Sequence, residues 1–127
     1  MKKQPTPPSH GTPSYWKARL LTATGGKTTS TAGYWAYTQS ISDTEVRFHC
    51  EKLLRPGSPV ILDIQAIHKG QKHPLRVQGK VLSCILLSCG TLYGIDLQIV
   101  SVSKADRQFI NQYMEDRKSM KLTYTSF

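Results

Sequence analysis

The sequence predicts an all-β fold with one helix: a six-stranded antiparallel β-barrel followed by a C-terminal helix. Three observations carry this. From Tyr15 to Ile99, apolar residues recur at every second position in six short runs, the pattern of strands buried on one face. Turn-forming residues separate the runs. At Ser103 the period lengthens to that of a helix. Short, evenly spaced strands with a trailing helix suggest a closed or nearly closed barrel, with the helix capping one end.

Residues 1–14 (MKKQPTPPSHGTPS) hold four prolines and read as a basic, Pro-rich disordered arm. The folded part is expected to start near Tyr15, so removing 1–14 should barely change stability. In the first strand Trp16, Ala18 and Leu20 alternate with Lys17, Arg19 and Leu21. Thr22–Ala32, rich in Thr and Gly, reads as a flexible loop. Gly33–Ile41 (GYWAYTQSI) is a second strand. Alternation forces at least one of Tyr34 and Trp35 outward, and the simplest arrangement turns Trp35 to the core. Ser42-Asp43-Thr44 is a turn, and Glu45–Cys50 a third strand with Val46, Phe48 and Cys50 on one face.

Arg55-Pro56-Gly57 is a turn before a fourth strand ending near Ile67. His68–Pro74 (HKGQKHP) reads as a polar, basic hairpin loop. Leu75, Val77, Gly79, Val81 and Ser83 share a face of the fifth strand. Ser88-Cys89-Gly90 is a turn, and Leu92–Ile99 the sixth strand. The expected core is Val60, Leu62, Ile64, Val77, Val81, Ile95 and Leu97. Ser103 to Asp106 resembles a capping box with Asp in place of Glu. The pairs Phe109/Tyr113 and Ile110/Met114 make an apolar stripe on a helix expected to end near Lys118. The domain division is therefore an arm over 1–14, barrel plus helix over 15–117, and a tail over 118–127 with no assigned structure.

Composition excludes several classes. The 127 residues leave room for one domain. No run of about eighteen apolar residues exists, so no membrane span is expected. Cys50, Cys84 and Cys89 are an odd number in a chain that is not Cys-dense, and no signal-peptide core is visible. Both point to the cytoplasm. Cys84-x4-Cys89 lacks the second ligand pair a structural zinc needs, so no metal is expected. No nucleophile elbow, Cys–His arrangement or paired carboxylates stand out, so no enzyme is expected. Gly25-Gly26-Lys27-Thr28 resembles the end of a phosphate-binding loop. Leu21 stands where that motif starts with Gly, and no helix follows, so it reads as a loop tip.

Charge is the positive signal. Seventeen Lys and Arg against eight Asp and Glu give +9, and residues 1–37 carry five bases and no acid. Such an end attracts an anion: nucleic acid, nucleotide, acidic protein or acidic membrane.

Four stretches together resemble the PilZ domain family over about residues 15–115. Ser40-Ile-Ser42-Asp-Thr-Glu45 lies where the family has Asp/Asn-x-Ser-x-x-Gly. Leu54–Ile64 resembles its Leu, Gly and alternating strand. Val77-Gln-Gly-Lys-Val81 resembles its Gly-x-Val strand. Leu92-Tyr-Gly-Ile-Asp-Leu97 resembles its Tyr-Gly-x-x-Phe strand, and a helix follows. The resemblance implies a bacterial six-stranded barrel that usually binds cyclic di-GMP. The departures are specific. The family's Arg-x-x-x-Arg pair just before the first strand is missing, since residues 1–14 contain no Arg. Ser40 replaces the Asp/Asn, and Glu45 replaces the Gly with a side chain and a negative charge. Losing two bidentate Arg–phosphate contacts costs about 3–6 kcal/mol, or roughly two to four decades of affinity.

These readings combine into a non-enzymatic PilZ-like adaptor in cyclic di-GMP-linked signalling, acting mainly through protein contacts, with nucleotide binding weak or absent and no cofactor. The alternatives are a cyclic di-GMP receptor using substitute bases, and a basic barrel that stacks single-stranded nucleic acid on Tyr34, Trp35 and Tyr37. The ligand candidates are Lys17, Arg19, Ser40, Ser42 and Arg47. Residues 1–19 and the segment His68–His73 are expected to offer a basic surface to an acidic protein. Oligomeric state is open.

Overall fold

The computed structural model describes residues 11–24, 27–28 and 33–125. Its elements are β1 (Thr12–Pro13), β2 (Lys17–Thr24), β3 (Lys27–Thr28), β4 (Tyr34–Ile41), β5 (Glu45–Cys50), β6 (Pro59–His68), β7 (Gln71–Leu86), β8 (Tyr93–Val102) and α1 (Lys104–Thr125). Six of the strands close in the order β2–β4–β5–β8–β7–β6 and back to β2, every pairing antiparallel. Closure leaves these strands no long unpaired edge. The fold class read from the sequence is therefore the observed one, a six-stranded antiparallel barrel with one C-terminal helix.

Alternation fills the barrel. Val60, Leu62, Ile64, Val77, Val81, Ile95 and Leu97 are all buried, joined by Leu20, Ile41, Val46 and Phe48. Cys50 belongs to this core, and Cys84 packs against it half-buried. Helix α1 starts as its sequence asks: Ser103 Oγ accepts the Asp106 N–H at 3.1 Å, an N-cap. Its stripe docks on the barrel, with Ile110 and Tyr113 buried and Phe109 and Met114 packed at the margin. The Tyr113 ring lies 4.8 Å from the Trp16 ring. Burial pushes the Tyr113 hydroxyl pKa up, and that hydroxyl donates to the Pro13 carbonyl at 2.6 Å.

Four boundaries differ from the expectation, each for a physical reason. The barrel begins before Tyr15. Thr12 and Pro13 pair with Ile41 and Ser40, and buried Ser14 donates its N–H to the Gln39 carbonyl. The Thr38 hydroxyl donates to the Ser14 carbonyl at 2.5 Å. Truncation through Ser14 therefore removes structure as well as charge; residues 1–10 of the expected arm lie outside the described residues. The Thr22–Ala32 loop is shorter than expected, because β2 runs on to Thr24 and pairs there with β3; residues 25–26 and 29–32 lie outside the described residues. The His68–Pro74 loop shrinks to a two-residue turn. Lys69 and Gly70 both have positive φ, 54° and 75°, which suits the mirror-image turn that matches strand twist. Pro74 sits inside β7 opposite Gln65, short of Val77, where pairing with β8 begins, so its missing N–H breaks no ladder on that side. Finally, α1 continues to Thr125, through most of the expected tail.

Candidate functional site

The five candidate residues separate into two groups on the barrel's outer face. Ser40, Ser42 and Arg47 ring a hollow of about 40 Å³ that also involves Gly11, Glu45 and Asp96. That is room for about one water, against the several hundred cubic ångströms of a small-molecule pocket. Two of the three are also engaged. Ser42 is 4% exposed, and its Oγ accepts the N–H groups of Thr44 and Glu45 at 3.2 and 3.0 Å. It fixes the β4–β5 turn as an ST-turn does. Arg47 Nε lies 2.7 Å from Asp96 Oδ1, and that hydrogen bond raises the guanidinium pKa above its ordinary value. Ser40 lies under Gly11, where an added Cβ would come within 2.9 Å of its Oγ.

Lys17 and Arg19 form the second group. Both point outward from β2, between buried Trp16, Ala18 and Leu20. Antiparallel register sets Arg19 opposite Trp35 and Lys17 opposite Tyr37. None of the β4 aromatics enters the core: Tyr34, Trp35 and Tyr37 are 42, 45 and 49% exposed. The expectation that Trp35 faces inward is overturned, because Ala36 and Thr38 take the inward positions. Thr38 is tolerated there because its hydroxyl accepts the Trp16 N–H at 2.8 Å. Trp35 instead carries two cations, with Lys17 Nζ 4.3 Å and Arg19 Cζ 4.5 Å from its ring centroid. Gly33 makes the bed for Arg19: a Cβ there would lie 2.4 Å from Arg19 Cγ. Sequence reading passed over Gly33; its signal was a glycine immediately before an aromatic strand.

Beyond Arg19 the outer face opens into a cleft of about 700 Å³ over β6 and β7. Its polar walls are partly paired, leaving Arg19 and Lys72 without an ion pair among the described residues. Arg76 grips Asp63 with two nitrogens at 2.7 and 2.8 Å, and the Arg76 N–H donates to Asp106 Oδ2 at 3.1 Å.

The HKGQKH segment is only in part the basic surface expected of it: Lys72 stays exposed with no ion pair among the described residues, while its histidines and Lys69 meet carboxylates of α1. His68 Nε2 donates to Asp116 Oδ2 at 2.7 Å, and Lys69 Nζ lies 3.2 Å from the same oxygen. His68, Gln112 and Lys69 together pull the Asp116 carboxyl down to about 2. His73 lies 3.3 Å from Asp106 Oδ1 and stacks on Phe109 at 4.3 Å between centroids. The segment clamps α1 to the barrel.

Among the described residues no three His, Cys, Asp or Glu side chains come together as a metal would require, and no described helix is long and apolar enough to cross a membrane. Cys89 is exposed and Cys50 buried, and burial pushes the Cys50 thiol pKa up.

No protein-family model matches the chain, and no curated protein sequence matches it. Among solved structures it is similar to the Bacillus subtilis inhibitor of motility, MotI/DgrA. The TM-score is 0.70 at 13% identity, over 87% of this chain and 49% of that one. At that identity what is shared is the fold. The chain spans about half the length of the protein it matches.

Proposed function

We propose that this chain is a non-enzymatic PilZ-like adaptor of cyclic di-GMP-linked signalling in the bacterial cytoplasm, working through protein contacts with nucleotide binding weak or absent. One observation carries the reading. Two candidate side chains at and beside the segment that resembles the nucleotide-binding motif are already held by the fold: Ser42 by its turn and Arg47 by Asp96. Lys17 and Arg19, by contrast, have no carboxylate partner among the described residues. Support also comes from the fold shared with a protein whose name is inhibitor of motility.

Calorimetric titration with cyclic di-GMP tests it. The expected result is no saturable heat at micromolar ligand. A sub-micromolar isotherm would establish the receptor alternative, with Lys17 and Arg19 as substitute bases. Any weak binding should fall steeply with salt, since exposed charges are screened over about 8–10 Å, and Glu45→Gly should strengthen it by removing a carboxylate from the motif.

A further inference from the structure

The geometry points to the Lys17–Arg19–Trp35 face as a docking site for an extended acidic segment of a protein partner, with carboxylates at alternate positions. This deepens the adaptor reading and rests on it. Two cations gathered on one indole ring are the starting observation. Their heads lie within about 9 Å of each other. Like charges so placed repel; Asp63, opposite Arg19 across β2–β6, is held by Arg76 and makes no ion pair with Arg19, and Lys17 has none among the described residues, whereas Arg47, Arg76 and Lys69 each have one. Trp35 holds them by cation–π attraction, and Gly33 leaves the space in which the Arg19 stem lies. The arrangement is built, and its charge is unanswered.

The spacing selects the occupant. Along an extended chain, side chains at i and i+2 leave the same face about 6.6–7 Å apart, which fits two cations this close. Arg19 offers a planar fork suited to a carboxylate, and Lys17 a compact charge beside it. Half-exposed Tyr37, opposite Lys17, adds a hydroxyl and an apolar ring at the margin. A nucleic acid strand fits less well, because it wants aromatic faces open for base stacking. Here the Trp35 ring already carries the two cations.

Fluorescence anisotropy tests this on the full chain, using a labelled (Glu-Thr)5 peptide as probe and a ten-nucleotide oligo-dT as comparison. The expected result is saturable, salt-sensitive peptide binding. It should fall at least tenfold in the Lys17→Glu/Arg19→Glu variant and severalfold in Trp35→Ala, which keeps both charges but removes their shelf. Gly33→Ala should weaken binding too, by displacing Arg19. Lys80→Glu changes net charge as much as one of the two reversals, at an exposed site on β7, and should leave binding nearly unchanged. If Lys80→Glu weakens binding as much as either reversal does alone, the attraction is general and the site is overturned. Oligo-dT binding that is tighter than the peptide's and lost in the same variants would overturn it in favour of nucleic acid. Should the double reversal not fold, Lys17→Gln/Arg19→Gln reads the same contacts. Failure here leaves the cyclic di-GMP titration untouched, so the adaptor reading stands or falls separately.

Discussion

Two short basic stretches of this chain, Lys17–Arg19 and His68–His73, look interchangeable as sequence and meet opposite fates in the fold. In the second the histidines are consumed internally while the lysines stay exposed: His68 and His73 reach Asp116 and Asp106 on α1, and their rings pack on Phe109 and Tyr113. The first lies against an aromatic ring on one side, and on the other faces Asp63 of β6, which Arg76 already holds. What decides between them is the element opposite. Helix α1 brings Asp106 and Asp116 to the β6–β7 hairpin, while β4 brings Trp35 and Tyr37 to β2. A basic run is a partner surface only where the acids the fold brings to it are already paired elsewhere, as Asp63 is with Arg76.

Four substitutions break or sharpen this contrast, from the largest expected effect to the smallest. Val81→Asp puts an unpaired charge inside the barrel, at a cost of several kcal/mol. Both regions should vanish together, with loss of strand signal in circular dichroism; a folded variant would contradict the assigned core. Tyr113→Phe acts on the seam between α1 and the N-terminal segment, beside the open region. It removes the hydroxyl that reaches Pro13 and should cost about 1 kcal/mol in chemical denaturation.

Asp116→Asn probes the clamp through pH. The Asp116 carboxyl sits at about 2, below its ordinary 3.8. Stability from the ionised group is thus fully present above about pH 4 and lost as pH falls towards 2. Thermal melts of the wild type should drop across that window, and the variant should drop less; equal drops would mean that Asp116 does not contribute. Last, Lys17→Glu/Arg19→Glu acts on the open region and should shift stability by less than about 1 kcal/mol. A larger loss in a denaturation curve would make these bases structural, and the contrast would fail.

The barrel was legible because burial of one face writes itself into every second residue. Val60, Leu62 and Ile64 state the period outright, and Ser103 with Asp106 marks the helix start. The misplaced boundaries depend on partners distant in sequence. Thr12 and Pro13 look like linker until Ile41 and Ser40 pair with them. Lys69-Gly70 looks like part of a long loop until their positive φ values make a two-residue turn. The site was half legible. Lys17 and Arg19 stood out by charge. Their meeting with Trp35 depends on β2–β4 register, which no local pattern specifies. Ser42 matched a ligand motif for a reason the turn itself explains, since its oxygen holds two backbone N–H groups.

The bond from Tyr113 to the Pro13 carbonyl joins positions 100 residues apart in sequence, and that separation has a consequence for synthesis. A ribosome adds roughly 5–20 residues per second. The N-terminal seam thus waits on the order of 5–20 s for the helix that seals it. Until then Trp16 lacks the aromatic lid that Phe109 and Tyr113 provide. The nascent barrel is most exposed to misassociation during that interval.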